Sequence, residues 1–154
     1  MEDGLVSNYA FEILDFQDPD ALANAAADLI VREIYGRFDQ PISYTDGKDY
    51  IREADPEIDT HYALTTTDTG LVAAAGVLHG IDGLTEVCDF AVDPANRGQG
   101  YGRNLMRHIA EHSLEQGDTV MSLVPLEPFY FSNLGFAYDG EDHLHMYADP
   151  LDLI

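Results

Sequence analysis

The chain has 154 residues and is 45% hydrophobic, which is enough for the core of one domain over residues 1–154. It carries 29 acidic and 7 basic residues, for a formal charge of −22. This balance argues against nucleic-acid binding, which needs Lys and Arg to neutralise phosphates. No stretch approaches 18 uninterrupted apolar residues, so we expect no membrane span and no membrane partner.

The same composition bears on habitat and compartment. Lys48 is the sole lysine, and the many Asp residues resemble the acidic proteins of salt-loving organisms. Attraction of a cationic substrate is the alternative reason for the charge. The chain starts Met-Glu-Asp, with acidic residues where a signal peptide needs basic ones. Cys88 is the only cysteine, so no internal disulfide can form. We therefore expect a cytoplasmic protein.

In chain order, the first half predicts one strand, two helices and three strands. Asp18 and Pro19 are suited to begin the first helix, and Asp82-Gly83 is typical of a tight hairpin between the third and fourth strands. The predicted elements are a strand at Tyr9–Phe16, helices at Pro19–Phe38 and Thr45–Ala54, and strands at His61–Thr67, Leu71–Ile81 and Leu84–Val92.

The second half predicts two helices that alternate with strands. Apolar residues at helical spacing, followed by Gly117, indicate the longer helix. The predicted elements are a helix at Gly100–Gln116, a strand at Thr119–Val124, a helix at Glu127–Leu134 and strands at Phe136–Asp139 and Leu144–Ala148. The order β-α-α-β-β-β-α-β-α-β-β predicts an α/β fold, with a mixed sheet and helices on its faces.

A glycine-rich turn between a strand and a helix is the most informative segment. The strand ends at Val92, Pro94 stops it, and three glycines alternate before the helix begins, at Gly98, Gly100 and Gly102. Glycines let backbone N–H groups crowd around an anion, and a helix N-terminus favours negative charge. The segment therefore predicts a phosphate-binding cradle.

Two common phosphate-binding motifs do not fit this turn. A Walker loop needs Gly-x-x-x-x-Gly-Lys-Ser/Thr, but the only lysine, Lys48, lies in the run Asp46-Gly47-Lys48-Asp49, and Ile42 stands where the first glycine should be. The dinucleotide fingerprint Gly-x-Gly-x-x-Gly places its third glycine at Arg103.

Three motifs instead resemble the GNAT superfamily of acyl-CoA N-acyltransferases. Arg97-x-x-Gly100-x-Gly102 is similar to that family's Arg/Gln-x-x-Gly-x-Gly/Ala signature. The preceding residues 90–94 (Phe-Ala-Val-Asp-Pro) resemble its strand end, and residues 133–136 (Asn-Leu-Gly-Phe) resemble the end of its last helix. The order of elements matches as well.

This resemblance implies acetyl-CoA as co-substrate, no metal, and transfer of the acetyl group to a primary amine. The strand end would pair with the pantetheine arm, the turn would hold the pyrophosphate, and one residue of the last helix would lie near the thioester. The implied cofactor-binding residues are Phe90, Ala91, Val92, Arg97, Gly98, Gln99, Gly100, Tyr101, Gly102, Arg103 and Asn133.

The resemblance also implies the catalytic residues. Glu86 lies at the start of the same strand, where members of the family that act on histones carry a general base. Its even spacing from Phe90 and Val92 puts the three side chains on one face unless a bulge intervenes. The general acid of many members is a Tyr at the position of Phe131, which has no proton to donate. Tyr130, one residue earlier, is the candidate acid if the helix register shifts, with packing as its alternative role. Water or another Tyr could serve instead, or catalysis could rest mainly on positioning.

Other interpretations stay open. His108-x-x-Glu111-His112 fits a zinc-hydrolase pattern, although we expect both histidines to lie on a solvated face. His143 and His145 are expected to share one face of a strand. Cys88 is expected to be a small buried hydrophobic residue rather than a nucleophile. An acetyl-CoA-binding sensor without turnover is the other alternative.

The acceptor is not identified by the sequence. The resemblance implies that residues 34–58 and 143–147 shape its site, and the first of these regions is acidic. An amine-bearing small molecule or a protein amino group would suit such a surface. A homodimer paired through the final strands is a further expectation from the resemblance.

Overall fold

The computed structural model describes residues 8–16, 20–34, 58–80 and 82–154, which form a seven-stranded mixed sheet with helices on both faces. The strands are β1 Tyr9–Leu14, β2 Thr60–Thr66, β3 Gly70–His79, β4 Leu84–Val92, β5 Val120–Leu123, β6 Ala137–Tyr138 and β7 Met146–Ala148. The helices are α1 Ala21–Glu33, α2 Tyr101–Glu115 and α3 Pro128–Leu134, with short 3₁₀ helices at Pro94–Asn96 and Pro150–Leu153. The predicted fold class is confirmed.

The predicted boundaries hold to within two residues at every described end but one. The exception is α1, which ends at Glu33 rather than at Phe38. The helix is also capped by Asp20, whose carboxylate accepts a hydrogen bond of 2.8 Å from the Ala23 amide, and not by Asp18. The predicted helix Thr45–Ala54 lies outside the described residues. No helix in the described ranges is long and apolar enough to cross a membrane.

The strand order is β1-β2-β3-β4-β5-β7-β6, and only β4 and β5 run parallel. Their pairing joins Leu84–Val87 to Val120–Leu123, so the other five of the nine residues in β4 extend beyond it. β5 stops two residues before Pro125, which lacks the N–H that a continued ladder needs. The two strands therefore part in the middle of the sheet.

Each face of the sheet carries its own apolar cluster. Helix α2 buries Leu105, Met106 and Ile109 completely, or nearly so, against the larger cluster. Helix α1 packs a row of alanines on the opposite face, where Ala74 and Ala91 meet it. Small side chains on both partners allow the helix to approach the strands closely.

A β-bulge in β4 changes the side of the sheet to which the following side chains of this strand project. Gly76 pairs with Asp89, but the next residue of β3 pairs with Val87, which leaves Cys88 as an extra residue. Val87 accordingly packs in the α2 cluster, while Ala91, four residues later, packs against α1. An unbroken strand would place both on one side.

Truncation of Ile109 to Ala should destabilise the fold by about 2 to 5 kcal/mol, because the cavity that remains beneath α2 cannot collapse fully. Arg107→Ala is the matched control, since Arg107 is exposed on the same helix and its loss should cost about 0.5 kcal/mol or less. Urea denaturation measures both values. Equal effects of the two substitutions would show that α2 does not pack as described.

Candidate functional site

A cavity of about 440 Å³ opens where β4 leaves β5, at the N-terminus of α2 and beside α3. The sequence predicts eleven cofactor-binding residues, and all except Gln99 line this cavity: Phe90, Ala91, Val92, Arg97, Gly98, Gly100, Tyr101, Gly102, Arg103 and Asn133. Tyr130 also lines it, whereas Glu86 does not. The structure thus brings the strand end, the turn and the last helix together, as the sequence predicts.

The turn before α2 lines the cavity, and its first helical N–H groups have no side-chain cap. Gly98 and Gly100 have φ angles of 81° and 84°, in the left-handed region that favours glycine. Gly100 is the N-cap of α2 and has no side chain to bond the first amides. An anion can therefore accept hydrogen bonds from them.

Gly102 leaves room for the side chain that lies above it. A Cβ atom at this position would lie 1.9 Å from the Tyr130 hydroxyl and 3.1 Å from a methyl of Val92. The Tyr130 hydroxyl therefore lies over the first turn of α2. Burial raises the pKa of Tyr130, against a smaller opposing effect of Arg103, so the hydroxyl stays protonated at neutral pH.

Two arginines at the cavity link the turn to other elements. The Arg97 guanidinium donates a 3.0 Å hydrogen bond to the Glu33 carboxylate at the end of α1. Arg103 donates one of 3.0 Å to the backbone carbonyl of Asn133 in α3. Sequence reasoning missed Glu33, because its role depends on a contact between residues 64 positions apart.

Phe131 belongs to the core and also borders the cavity. Its ring is buried, with edge-to-face contacts to Phe90 at 5.7 Å and Phe136 at 6.2 Å between ring centroids. Tyr130 packs edge-to-face on Phe131 and directs its hydroxyl toward Gly102. The hydroxyl therefore lies at the cradle.

Glu86 lies on the face of the sheet opposite α2. The bulge at Cys88 puts the side chain of Glu86 on the opposite face from those of Phe90 and Val92, which is the outcome expected when a bulge intervenes. Glu86 instead pairs with Leu78 and Ser122 on its two sides. Cys88 itself is partly exposed within the bulge, which corrects the expectation that it is buried.

His108 and His112 do not lie on a solvated face, as expected from the sequence. The His108 ring stacks on Phe11 with centroids 4.1 Å apart, and Nδ1 of His112 is hydrogen-bonded to the hydroxyl of Tyr62, a fully buried residue. Burial lowers the pKa of His108. Helix α2 turns this side toward the sheet, which sequence alone does not reveal. Over the described ranges, no three His, Cys, Asp or Glu are grouped to hold a metal.

His143 and His145 also differ from expectation, because β7 begins only at Met146. They precede the strand, in a turn that the Asp142 carboxylate organises. One Asp142 oxygen accepts the amides of Leu144 and His145, and the other accepts the Tyr147 hydroxyl at 2.7 Å. These hydrogen bonds lower the pKa of Asp142 to about 2.

Comparison with known proteins identifies the family. The sequence profile of the acetyltransferase (GNAT) family matches residues 28–136, so this chain belongs to the GNAT acetyltransferases. Membership supports acetyl transfer as the general activity. No curated protein matches the sequence.

Solved structures share the fold at low sequence identity. Tetrahymena GCN5 is 17% identical, with a TM-score of 0.66, and the match covers 91% of this chain and 95% of that one. A Bacillus subtilis acetyltransferase in complex with CoA is 14% identical, with a TM-score of 0.64 and coverages of 92% and 98%. A spermidine N-acetyltransferase SpeG chimera from Vibrio cholerae and hSSAT is 17% identical, with a TM-score of 0.67 and coverages of 96% and 98%.

Substitution of Gly102 by Ala should destabilise the protein by about 1 to 3 kcal/mol, because the new methyl group overlaps the Tyr130 hydroxyl. The double variant Gly102→Ala/Tyr130→Phe should recover most of this loss, since it removes the overlapping oxygen. Thermal unfolding of the two single variants and the double variant measures the coupling. Additive effects would contradict the placement of the hydroxyl over Gly102.

Proposed function

We propose that this protein is an N-acetyltransferase that transfers the acetyl group of acetyl-CoA directly to a primary amine. The observation that carries the proposal is the cavity at the parting of β4 and β5, which joins an exposed strand edge to an amide-lined helix N-terminus. Membership of the GNAT family supports acetyl transfer as the general reaction. The backbone groups that line the cavity make it suited to acetyl-CoA.

The residues of the cavity fit CoA at both ends. The glycine turn, the N-terminus of α2 and two arginines suit a pyrophosphate. No described strand pairs with Phe90–Val92 on the side of β5, so this edge can bond to the amide groups of a pantetheine arm. Acetyl-CoA supplies an activated thioester.

Glu86 is proposed as the general base. The amine must lose a proton to Glu86 as its nitrogen bonds to the acetyl carbon, the carbon–sulfur bond breaks, and the departing sulfur takes up a proton. Glu86 precedes Phe90 by four residues, about 13 Å along an extended strand. Glu86 therefore lies beyond the pantetheine-binding edge, at the end away from the phosphate cradle. The acceptor can approach at that end.

Tyr130 is better suited to bind the cofactor than to protonate the sulfur. Its hydroxyl lies over Gly102, at the phosphate end of the cavity, and its raised pKa keeps the proton available for a hydrogen bond. We propose that it donates to a phosphate oxygen and that water protonates the sulfur.

The acceptor is proposed to be a cationic amine, free or on a protein. The chain has a formal charge of −22, which attracts such acceptors at low ionic strength. The SpeG chimera with the same fold is named for spermidine, which makes polyamines the first acceptors to screen. A cytoplasmic location and pairing into a homodimer remain part of the proposal.

Isothermal titration with acetyl-CoA should show one site per chain. Gly100→Val should weaken acetyl-CoA binding at least tenfold, because a side chain at φ 84° strains the turn and covers the backbone amides. Gly117→Val is the matched control, since Gly117 has a φ of 86° at the other end of α2 and should leave binding unchanged. Absence of binding by folded protein in both low and molar salt would sink the acetyltransferase assignment.

Glu86→Gln should lower kcat about 10²- to 10⁴-fold and leave acetyl-CoA affinity unchanged, because the amide cannot accept the proton. The assay follows CoA release with butylamine, 1,4-diaminobutane, spermidine and a lysine-containing peptide. Glu111→Gln, on the exposed side of α2, is the control. Normal turnover by Glu86→Gln would exclude Glu86 as the base, whereas binding without turnover by the native protein would favour a sensor.

A further inference from the structure

Three side chains form a row across the face of the sheet opposite α2. Glu86 pairs with Ser122 in the parallel ladder, and Ser122 pairs with Tyr147 in the next ladder. Paired residues on adjacent strands project to the same side, with Cβ atoms about 5 Å apart. Ser122 is therefore flanked by a carboxylate and a phenol. The hydrogen bond to Asp142 is the main cause that raises the pKa of Tyr147, and the negative charge of Glu86 adds a smaller effect.

The hydroxyl of Ser122 belongs to a buried residue and has no hydrogen-bond partner among the described residues. Ser122 is 3% exposed, and no hydrogen bond joins its oxygen to another group in the described parts of the chain. Tyr147 cannot donate to it, because the Tyr147 hydroxyl donates to Asp142 at 2.7 Å. The hydroxyl oxygen itself is not fully enclosed, so a ligand can reach it.

The carboxylate of Glu86 is unpaired as well. No described residue donates a hydrogen bond to it or forms an ion pair with it. The nearest arginines in sequence, Arg97 and Arg103, bond to Glu33 and Asn133 at the cradle. The two adjacent side chains, an anionic acceptor and a hydroxyl that can donate or accept, are therefore not tied to any other described residue.

We infer that Ser122 binds the acceptor amine together with Glu86, an inference that rests on the proposed function. An ammonium group has several N–H donors and no acceptor, so it can bond to both oxygens at once. With the two Cβ atoms about 5 Å apart, one nitrogen can lie about 2.8 Å from each oxygen. After Glu86 takes one proton, the bond to Ser122 still holds the neutral amine and so orients its lone pair.

The test compares Ser122→Ala with native protein, using the amine from the panel above that is turned over fastest. The KM for the amine should rise about tenfold, the loss expected for one hydrogen bond to a charged group. The KM and the titrated Kd for acetyl-CoA should not change, and Ser122→Thr should restore most of the affinity for the amine. Ser113→Ala is the matched control, since Ser113 is a buried unpartnered serine on α2, on the other face of the sheet.

The outcomes separate this inference from the function on which it rests. An active native enzyme with an unchanged amine KM in Ser122→Ala, or an equal rise in Ser113→Ala, overturns the role of Ser122 and leaves the acetyltransferase assignment intact. A native protein that binds acetyl-CoA but acetylates no amine overturns both. A selective rise in amine KM, reversed by Thr, supports the inference.

Discussion

The separation of β4 from β5 after Val87 is the constraint on which the candidate site depends. A sheet normally satisfies the hydrogen bonds of an interior strand on both edges. Here β5 ends at Leu123, shortly before Pro125, while β4 continues for five residues beyond the last pair. The exposed edge lies beside the N-terminus of α2, so unpaired backbone groups of two kinds face one cavity. The site is therefore made largely of main chain, and side chains shape it.

Side chains around that cavity join elements that are far apart in sequence. Arg97 connects the turn to α1, Arg103 connects α2 to α3, and Tyr130 covers Gly102. Each contact crosses the cavity or its border. The positions of the surrounding helices are thus coupled to the geometry of the turn, although most of the stability of these helices comes from the apolar clusters on the two faces.

Local signals made much of this structure predictable. The boundaries of β4 and the cradle follow from a proline, a series of glycines and the start of an amphipathic helix, all within 14 residues of sequence (residues 90–103). Features that depend on pairing between distant segments were not predictable. The partners of Ser122, the side on which Glu86 lies, and the contact of His112 with Tyr62 require the strand register and the rotation of α2. Residue types alone do not encode the strand register or the rotation of α2.

The extra residue at Cys88 also lets β4 meet two requirements at once, apolar packing in the core and a charged side chain on the opposite face. In an unbroken strand that kept Phe90 and Val92 in place, residues 84–87 would exchange sides. Glu86 would then project into the apolar cluster beneath α2, where an ionised carboxylate is costly, and Val87 would leave that cluster. A single inserted residue therefore lets one strand contribute apolar side chains to the core and a charge to the opposite surface. A deletion at this position would abolish both contributions together, so the length of β4 is under tighter constraint than the identity of Cys88.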